Sequence, residues 1–243
     1  MEVVFGGSIP KDYNYLDENE DIFGIHFEDN KLRIALSDGA SVSYDSKNWA
    51  KALVDYFIKT GAGRAFDIKK VMLTYYTEMF KCNDMTAIQK RGLRVGSFAT
   101  FLGIEYSYLN NQARIIGVGD SIVVLLSDER FVEAFPRTAS EQFDVVPQMF
   151  STKNRGNLFF QHAKERSRFY KIWKLKDVPS PTLLCMSDAL GEWAMREMER
   201  GNSEVWAQLM SINDLRSFWQ FVHVKRLEHA IKTDDTTLIT VRL

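Results

Sequence analysis

The sequence predicts an α+β chain folded as one domain, and three observations carry that expectation. Short apolar runs rich in β-branched and aromatic residues recur along its 243 residues, as strands require. Between them lie stretches with apolar residues three and four apart, as helices with one buried face require. The composition, 45% hydrophobic and 13% aromatic, is ample for a core at this length.

In chain order the predicted strands are DIFGIHFE from Asp21, LRIALSD from Leu32, SFATFLGIEYS from Ser97, ARIIGVGDSIVVLLSD from Ala113, TLLCMSD from Thr182 and TTLITVRL from Thr236. A helix is expected from Ser46, which would cap it, to Gly61, which would end it, with Trp49, Leu53, Tyr56 and Phe57 on one face. Further helical patterns fall in IKKVMLTYYTEMFKCN, GEWAMREMERG, SEVWAQLMS and LRSFWQFVHVKRLEHA. Their spacing sends Trp49, Trp193, Trp206 and Trp219 to the core. From about 150 to 178 the pattern weakens, and eight basic residues from Lys153 to Lys176 interleave with aromatics. This reads as an irregular excursion between two strands.

The bulk numbers exclude several classes. Thirty-one basic residues nearly balance 32 acidic ones for a net charge of -1, so no global field favours nucleic acid or an anionic membrane. Two cysteines, Cys82 and Cys185, stand in apolar contexts without metal-finger spacing, which argues against a disulfide framework and for a reducing, cytoplasmic setting. No signal-peptide pattern and no run of 18 apolar residues occurs. Ser97 and Ser121 have no histidine and acid partner pattern, and Cys185 has nothing nearby to activate it, so a serine or cysteine hydrolase is not expected.

The acids are placed more tellingly. Three strands end in one, at Asp38, Asp120 and Asp188, and two begin after one, at Asp21 and at Asp234 with Asp235. In an antiparallel sheet the end of one strand lies beside the start of its neighbour, so these acids can converge on one edge. Converging carboxylates repel, and burying them without a cation is costly. Oxygen ligands suit magnesium or manganese rather than zinc, and His26, His162, His223 and His229 show no ligand spacing. Two such ions about 4 Å apart can lower the pKa of a shared water and stabilise attack on phosphorus.

Six stretches in order, NEDIFGI, ALSDGAS, GSFATFLGI, GVGDS, CMSDALGEW and TDDTTLITV, resemble the motifs of the metal-dependent serine/threonine phosphatases of the 2C type, the PPM superfamily. The resemblance runs from about Asn19 to Leu243. It implies a four-layer αββα sandwich of two antiparallel sheets flanked by helices, spanning 1–243 as one phosphatase domain, with two Mg2+ or Mn2+ ions and a weak third. Asp38 would bridge both ions, the Gly39 carbonyl would bind one, and Asp188 and Asp234 would hold the other, making these three aspartates the catalytic set. Asp21 and Asp120 would complete the metal ligands, Asp120 at the third ion, with Glu20 and Asp235 in support. The implied activity is hydrolysis of phosphoserine or phosphothreonine on proteins by a metal-bridging hydroxide, with a phosphoprotein substrate and a cognate kinase as partners. The alternative is a weak or inactive relative that binds phosphoproteins in regulation.

Two departures bear on this. Leu16 stands where many members carry a phosphate-gripping arginine, and Ala189 replaces the glycine after the third aspartate, with Glu192 following. The excursion lies where the family inserts a variable flap, so Lys153, Arg155, Arg166 or Arg168 is the expected substitute contact to phosphate.

Overall fold

The computed structural model describes residues 1–61, 66–79 and 85–243. Cys82 lies outside the described residues. The strands are β1 (Glu2–Ile9), β2 (Asp21–Glu28), β3 (Lys31–Asp38), β4 (Phe98–Ala99), β5 (Phe101–Ser107), β6 (Gln112–Val118), β7 (Ile122–Ser127), β8 (Arg130–Phe135), β9 (Phe150–Ser151), β10 (Tyr170–Lys174), β11 (Thr182–Met186) and β12 (Thr236–Arg242). The helices are α1 (Ser46–Thr60), α2 (Ile68–Met79), α3 (Ala87–Val95), α4 (Leu158–Gln161), α5 (Ala163–Arg166), α6 (Asp188–Glu199), α7 (Val205–Met210) and α8 (Leu215–Leu227). Among the described residues no helix is long and apolar enough to cross a membrane.

The chain divides into two compact units. The first comprises Met1–Asp21, Asp120–Pro147 and Leu175–Leu243. Its five-stranded antiparallel sheet has the order β1-β12-β11-β7-β8. Ile122, Val124, Leu184, Met186 and Leu238 from the strands pack against Leu190, Trp193, Leu209, Phe218 and Val222 from α6, α7 and α8. Each such side chain contributes about 1.5–3 kcal/mol on burial, which fixes the helices on this sheet. The second unit comprises Ile22–Gly119 and Gln148–Lys174. Its sheet has the order β10-β6-β5-β3-β2, and Trp49, Leu53 and Phe57 of α1 with Val71 of α2 pack on Ala35, Phe101, Ile116 and Val118. Antiparallel sheets with helices packed on them are the predicted α+β class.

Three local expectations are corrected. Ser46 is the first residue of α1 rather than its cap; Asp45 takes the cap position in a left-handed conformation and makes no side-chain cap bond. Gly61 does end the helix, donating its N–H to the Phe57 carbonyl. Trp219 is 40% exposed and stacks on His223, with ring centroids 4.9 Å apart; it lies one residue off the buried Phe218 and Val222 stripe of α8. The excursion is ordered rather than irregular: it contains β9, α4 and α5 and ends in β10, a full edge strand paired with β6. Its YKIWK sequence alternates side chains across an edge, where charges are tolerated on the open face.

Candidate metal centre

The register of the first unit gathers four acid-bearing turns. Met186, the last residue of β11, pairs with Leu238 of β12 on one side and Ile122 of β7 on the other. Asp188 just after β11, Asp234 and Asp235 just before β12, and Asp120 just before β7 therefore share one sheet edge. Ile9 at the end of β1 pairs with Thr236, and the chain then runs through a 3-10 turn at Leu16–Glu18 to Asp21. Leu16 itself is 68% exposed.

Asp21 is buried. Its Oδ2 accepts from the Thr237 hydroxyl at 2.7 Å, its N–H donates to Asn19 Oδ1 at 2.9 Å, and its Oδ1 is buried with no hydrogen-bond partner. Burial above all, then the charges of Asp235 and Asp188, push its carboxyl up to about 8, although the hydroxyls of Thr237 and Ser187 ease ionisation. Asp188 opens α6 directly after Ser187. Its Oδ1 is likewise buried and unpartnered, and burial, then the charges of Asp120 and Asp234, push it up to about 7 against the pull of Lys232. Asp120 is raised by burial despite Arg137 and Lys232. The turn into it needs Gly119, whose φ of +115° suits glycine.

Asp234 and Asp235 divide their work. Asp235 accepts the Lys11 N–H on Oδ1 and the Glu20 N–H on Oδ2, both at 2.7 Å, so its two oxygens tie the chain after β1 to the start of β12. Glu20 pairs with the Lys11 ammonium at 3.1 Å. Asp234 Oδ1 accepts only the adjacent Asp235 N–H in the described network, at 2.9 Å. Its backbone carbonyl is gripped by Arg226 of α8, a buried guanidinium that also donates to the Pro10 carbonyl at 2.9 Å and the Thr236 hydroxyl at 3.0 Å. Replacing Arg226 by methionine removes all three of these bonds and leaves the Pro10 carbonyl without this donor, while the Thr236 hydroxyl still donates to the Asp234 carbonyl, so a loss of about 2–4 kcal/mol in urea unfolding is expected. Lysine should recover only part of it, lacking the guanidinium fork.

Cations border the acids. Lys232 Nζ lies 2.5 Å from Glu192 Oε2, and Arg196 Nη1 donates to Glu192 Oε1 at 2.9 Å. Burial alone would lower the lysine's pKa, but the bond and charge of Glu192, then the charges of Asp188 and Asp120, raise it above the ordinary value. Sequence reasoning missed Lys232, Arg226 and Arg137; the only local signal was a lysine two residues before Asp234.

The other expected site residues belong to the second unit. Asp38 ends β3, its N–H donating to Thr100 Oγ1 at 3.1 Å and its carbonyl accepting from the Thr100 N–H at 2.8 Å. Gly39 bridges to Ala99, and a Cβ there would fall 2.8 Å from the Ser46 backbone, so glycine lets β3 pass close beneath the start of α1. Arg168 donates to Gln148 at 2.6 Å and lies over the Phe169 ring. Arg155 is exposed and Arg166 half-buried.

The donor set of the first unit is all oxygen, and two of its oxygens are buried without partners, a combination that fits a hard divalent cation. Among the described residues, no three His, Cys, Asp or Glu side chains are arranged as ligands of one ion.

No protein-family model and no curated protein sequence matches the chain. Solved structures do match it along almost its whole length. A bacterial serine phosphatase carrying a point mutation is 15% identical, with a TM-score of 0.60 over 98% of this chain and 96% of that one. The photosystem II phosphatase PBCP is 13% identical, with a TM-score of 0.56 over 98% and 97%. Serine/threonine phosphatase Stp1 from Staphylococcus aureus is 17% identical, with a TM-score of 0.55 over 100% and 96%. The chain has the α+β fold of these phosphatases, as the six motifs implied.

Proposed function

We propose that the chain is a metal-dependent phosphatase, acting as one domain over 1–243 in the cytoplasm and removing phosphate from serine or threonine of a phosphoprotein made by a cognate kinase. The observation that carries this reading is the pair of buried, unpartnered oxygens on Asp21 and Asp188, set beside Asp120 and Asp234 at one sheet edge. Likeness of fold to a photosystem II phosphatase, a bacterial serine phosphatase and a serine/threonine phosphatase supports it.

In this reading Asp38, the Gly39 carbonyl, Asp188 and Asp234 hold two Mg2+ or Mn2+ ions, with Asp21 and Asp120 as further ligands. Bound, such ions supply a water of lowered pKa and offset charge on the phosphoryl oxygens. The protein's own part is positional. Asp235 fixes the backbone at Glu20, next to Asp21, while Arg226 fixes Asp234 from behind. The Thr237 hydroxyl turns Asp21 so that its second oxygen remains uncommitted. Arg155, Arg166 or Arg168 takes the contact to phosphate that Leu16 cannot make.

Manganese-dependent turnover of an aryl phosphate, lost in Asp38→Asn and in Asp234→Asn, is the expected result. Tight phosphopeptide binding without turnover at saturating manganese would instead establish the regulatory binder, which the exposed Leu16 and the Lys232 pairing favour.

A further inference from the structure

Two stretches of the chain, residues 85–104 and 145–164, contain no aspartate or glutamate, and every charged side chain in them is a lysine or an arginine. The fold lays one against the other. Phe98 and Ala99 of β4 pair with Ser151 and Phe150 of β9. Beside that ribbon the Ser97 N–H donates to Thr152 Oγ1 at 2.9 Å, and the Thr152 N–H donates to the Ser97 carbonyl at 3.0 Å. Lys90, Arg91 and Arg94 stand exposed on α3. Lys153 meets the end of that helix at Gly96, whose φ is +96° and where a Cβ would fall 2.8 Å from Lys153 Cγ. The Lys153 ammonium lies 5.5 Å from the centre of the Tyr76 ring, and the Tyr76 hydroxyl donates to the Thr152 carbonyl at 2.9 Å. The lysine is thus held by an aromatic that is itself anchored. No ion pair among the described residues engages any of these four cations. Like charges three and four residues apart repel along a helix, so α3 is weaker for carrying Lys90, Arg91 and Arg94.

This basic surface borders the end of β3. Gly39 bridges to Ala99, and the Ala40 N–H donates to the Phe98 carbonyl at 2.9 Å, so β4 lies between the Asp38–Gly39 step and β9. Two strand spacings across and three residues along put Lys153 about 14 Å from Gly39. An extended peptide covers that distance in about four residues. We propose that Lys90, Arg91, Arg94 and Lys153 form a docking surface for an acidic segment of the phosphoprotein, about three to five residues from its phosphorylated position. The proposal rests on reading the chain as one that acts on phosphoproteins, and it names which of them it prefers. A nucleic acid would also meet the charge, but the place of the surface beside Asp38 favours a peptide.

Phosphoserine peptides with aspartates, alanines or lysines at those positions separate the outcomes. Turnover at saturating Mn2+ and fluorescence anisotropy of labelled peptides on metal-free protein are measured for wild type and for Arg91→Glu combined with Arg94→Glu. Wild type is expected to bind the acidic peptide about tenfold more tightly than the alanine peptide, the difference appearing in KM. That preference should vanish at about 1 M salt, where charges are screened beyond about 3 Å. Both substituted residues are exposed, and the double variant is expected to reverse the ranking in favour of the lysine peptide, which a folding defect would not do. Equal affinity of wild type for the acidic and alanine peptides, or an acidic preference kept by the variant, overturns the proposal while turnover leaves the phosphatase reading standing. The expected ranking without turnover overturns the phosphatase reading and leaves the docking surface standing. Tight binding of single-stranded RNA, with no ranking among the peptides, assigns the surface to nucleic acid and overturns the proposal.

Discussion

Asp188→Asn is expected to cut manganese-dependent turnover of an aryl phosphate about a thousandfold or more, and at the same time to raise the melting temperature of the metal-free protein by about 5 °C. The two effects have one cause. Asp188 is held against burial and against the charges of Asp120 and Asp234, and its Oδ1 has no partner, so the carboxylate works against folding. Asparagine keeps the shape and removes the charge. Groups placed for function commonly carry such a cost in stability. Assaying activity and melting on the same preparation distinguishes this from misfolding, which would lower both. A variant that loses neither activity nor its metal dependence would remove Asp188 from the site.

The metal-free protein is expected to lose stability as pH rises from 5 to 8, by a few kcal/mol in urea midpoints. Asp21 and Asp188 stand up to about 8 and about 7 in the folded state, both from a value of 3.8. A raised folded pKa means the protonated form favours the fold. The stabilisation is complete below about pH 4 and drains away as pH climbs through the folded values. Because the two groups repel each other, the joint effect is smaller than two separate ones. Saturating Mn2+ should reverse the slope, since the ion binds the ionised carboxylates and tightens as protons leave. A metal-free profile flat or rising between pH 5 and 8, or one that Asp188→Asn leaves unaltered, would refute the environment described for these acids.

The acids were legible because each terminates or precedes an apolar strand, and antiparallel register converts that linear habit into proximity. Met186 pairing with both Leu238 and Ile122 is what the motif order encodes. The groups that hold the acids were not legible. Arg226 reaches Pro10 across most of the chain, and no local pattern announces a partner so distant. Asp235 was expected only in support, and nothing nearby in sequence hints that Lys11 and Glu20 would be its partners. Strands β1 and β8 escaped notice because glycines dilute EVVFGGSI and charges interrupt RFVEAF, so period-two burial is visible only once a neighbour covers one face. Trp219 was misplaced because α8 carries apolar residues nearly all round, Leu215 and Leu227 being exposed while Phe218 and Val222 are buried, and spacing cannot choose between such faces.

The sheet order β1-β12-β11-β7-β8 also governs when this architecture can come into being. Synthesis proceeds from the amino end, yet among the described residues β1 has a single neighbour, and that neighbour is β12, which follows it after most of the strands and helices have emerged. Until it does, β1 hangs as an unpaired ribbon and β11 lacks one flank, an arrangement that exposes edges to wrong partners. The nascent chain therefore has to be kept from premature association, and an interrupted translation product would contain most of the acids with nothing to draw them together.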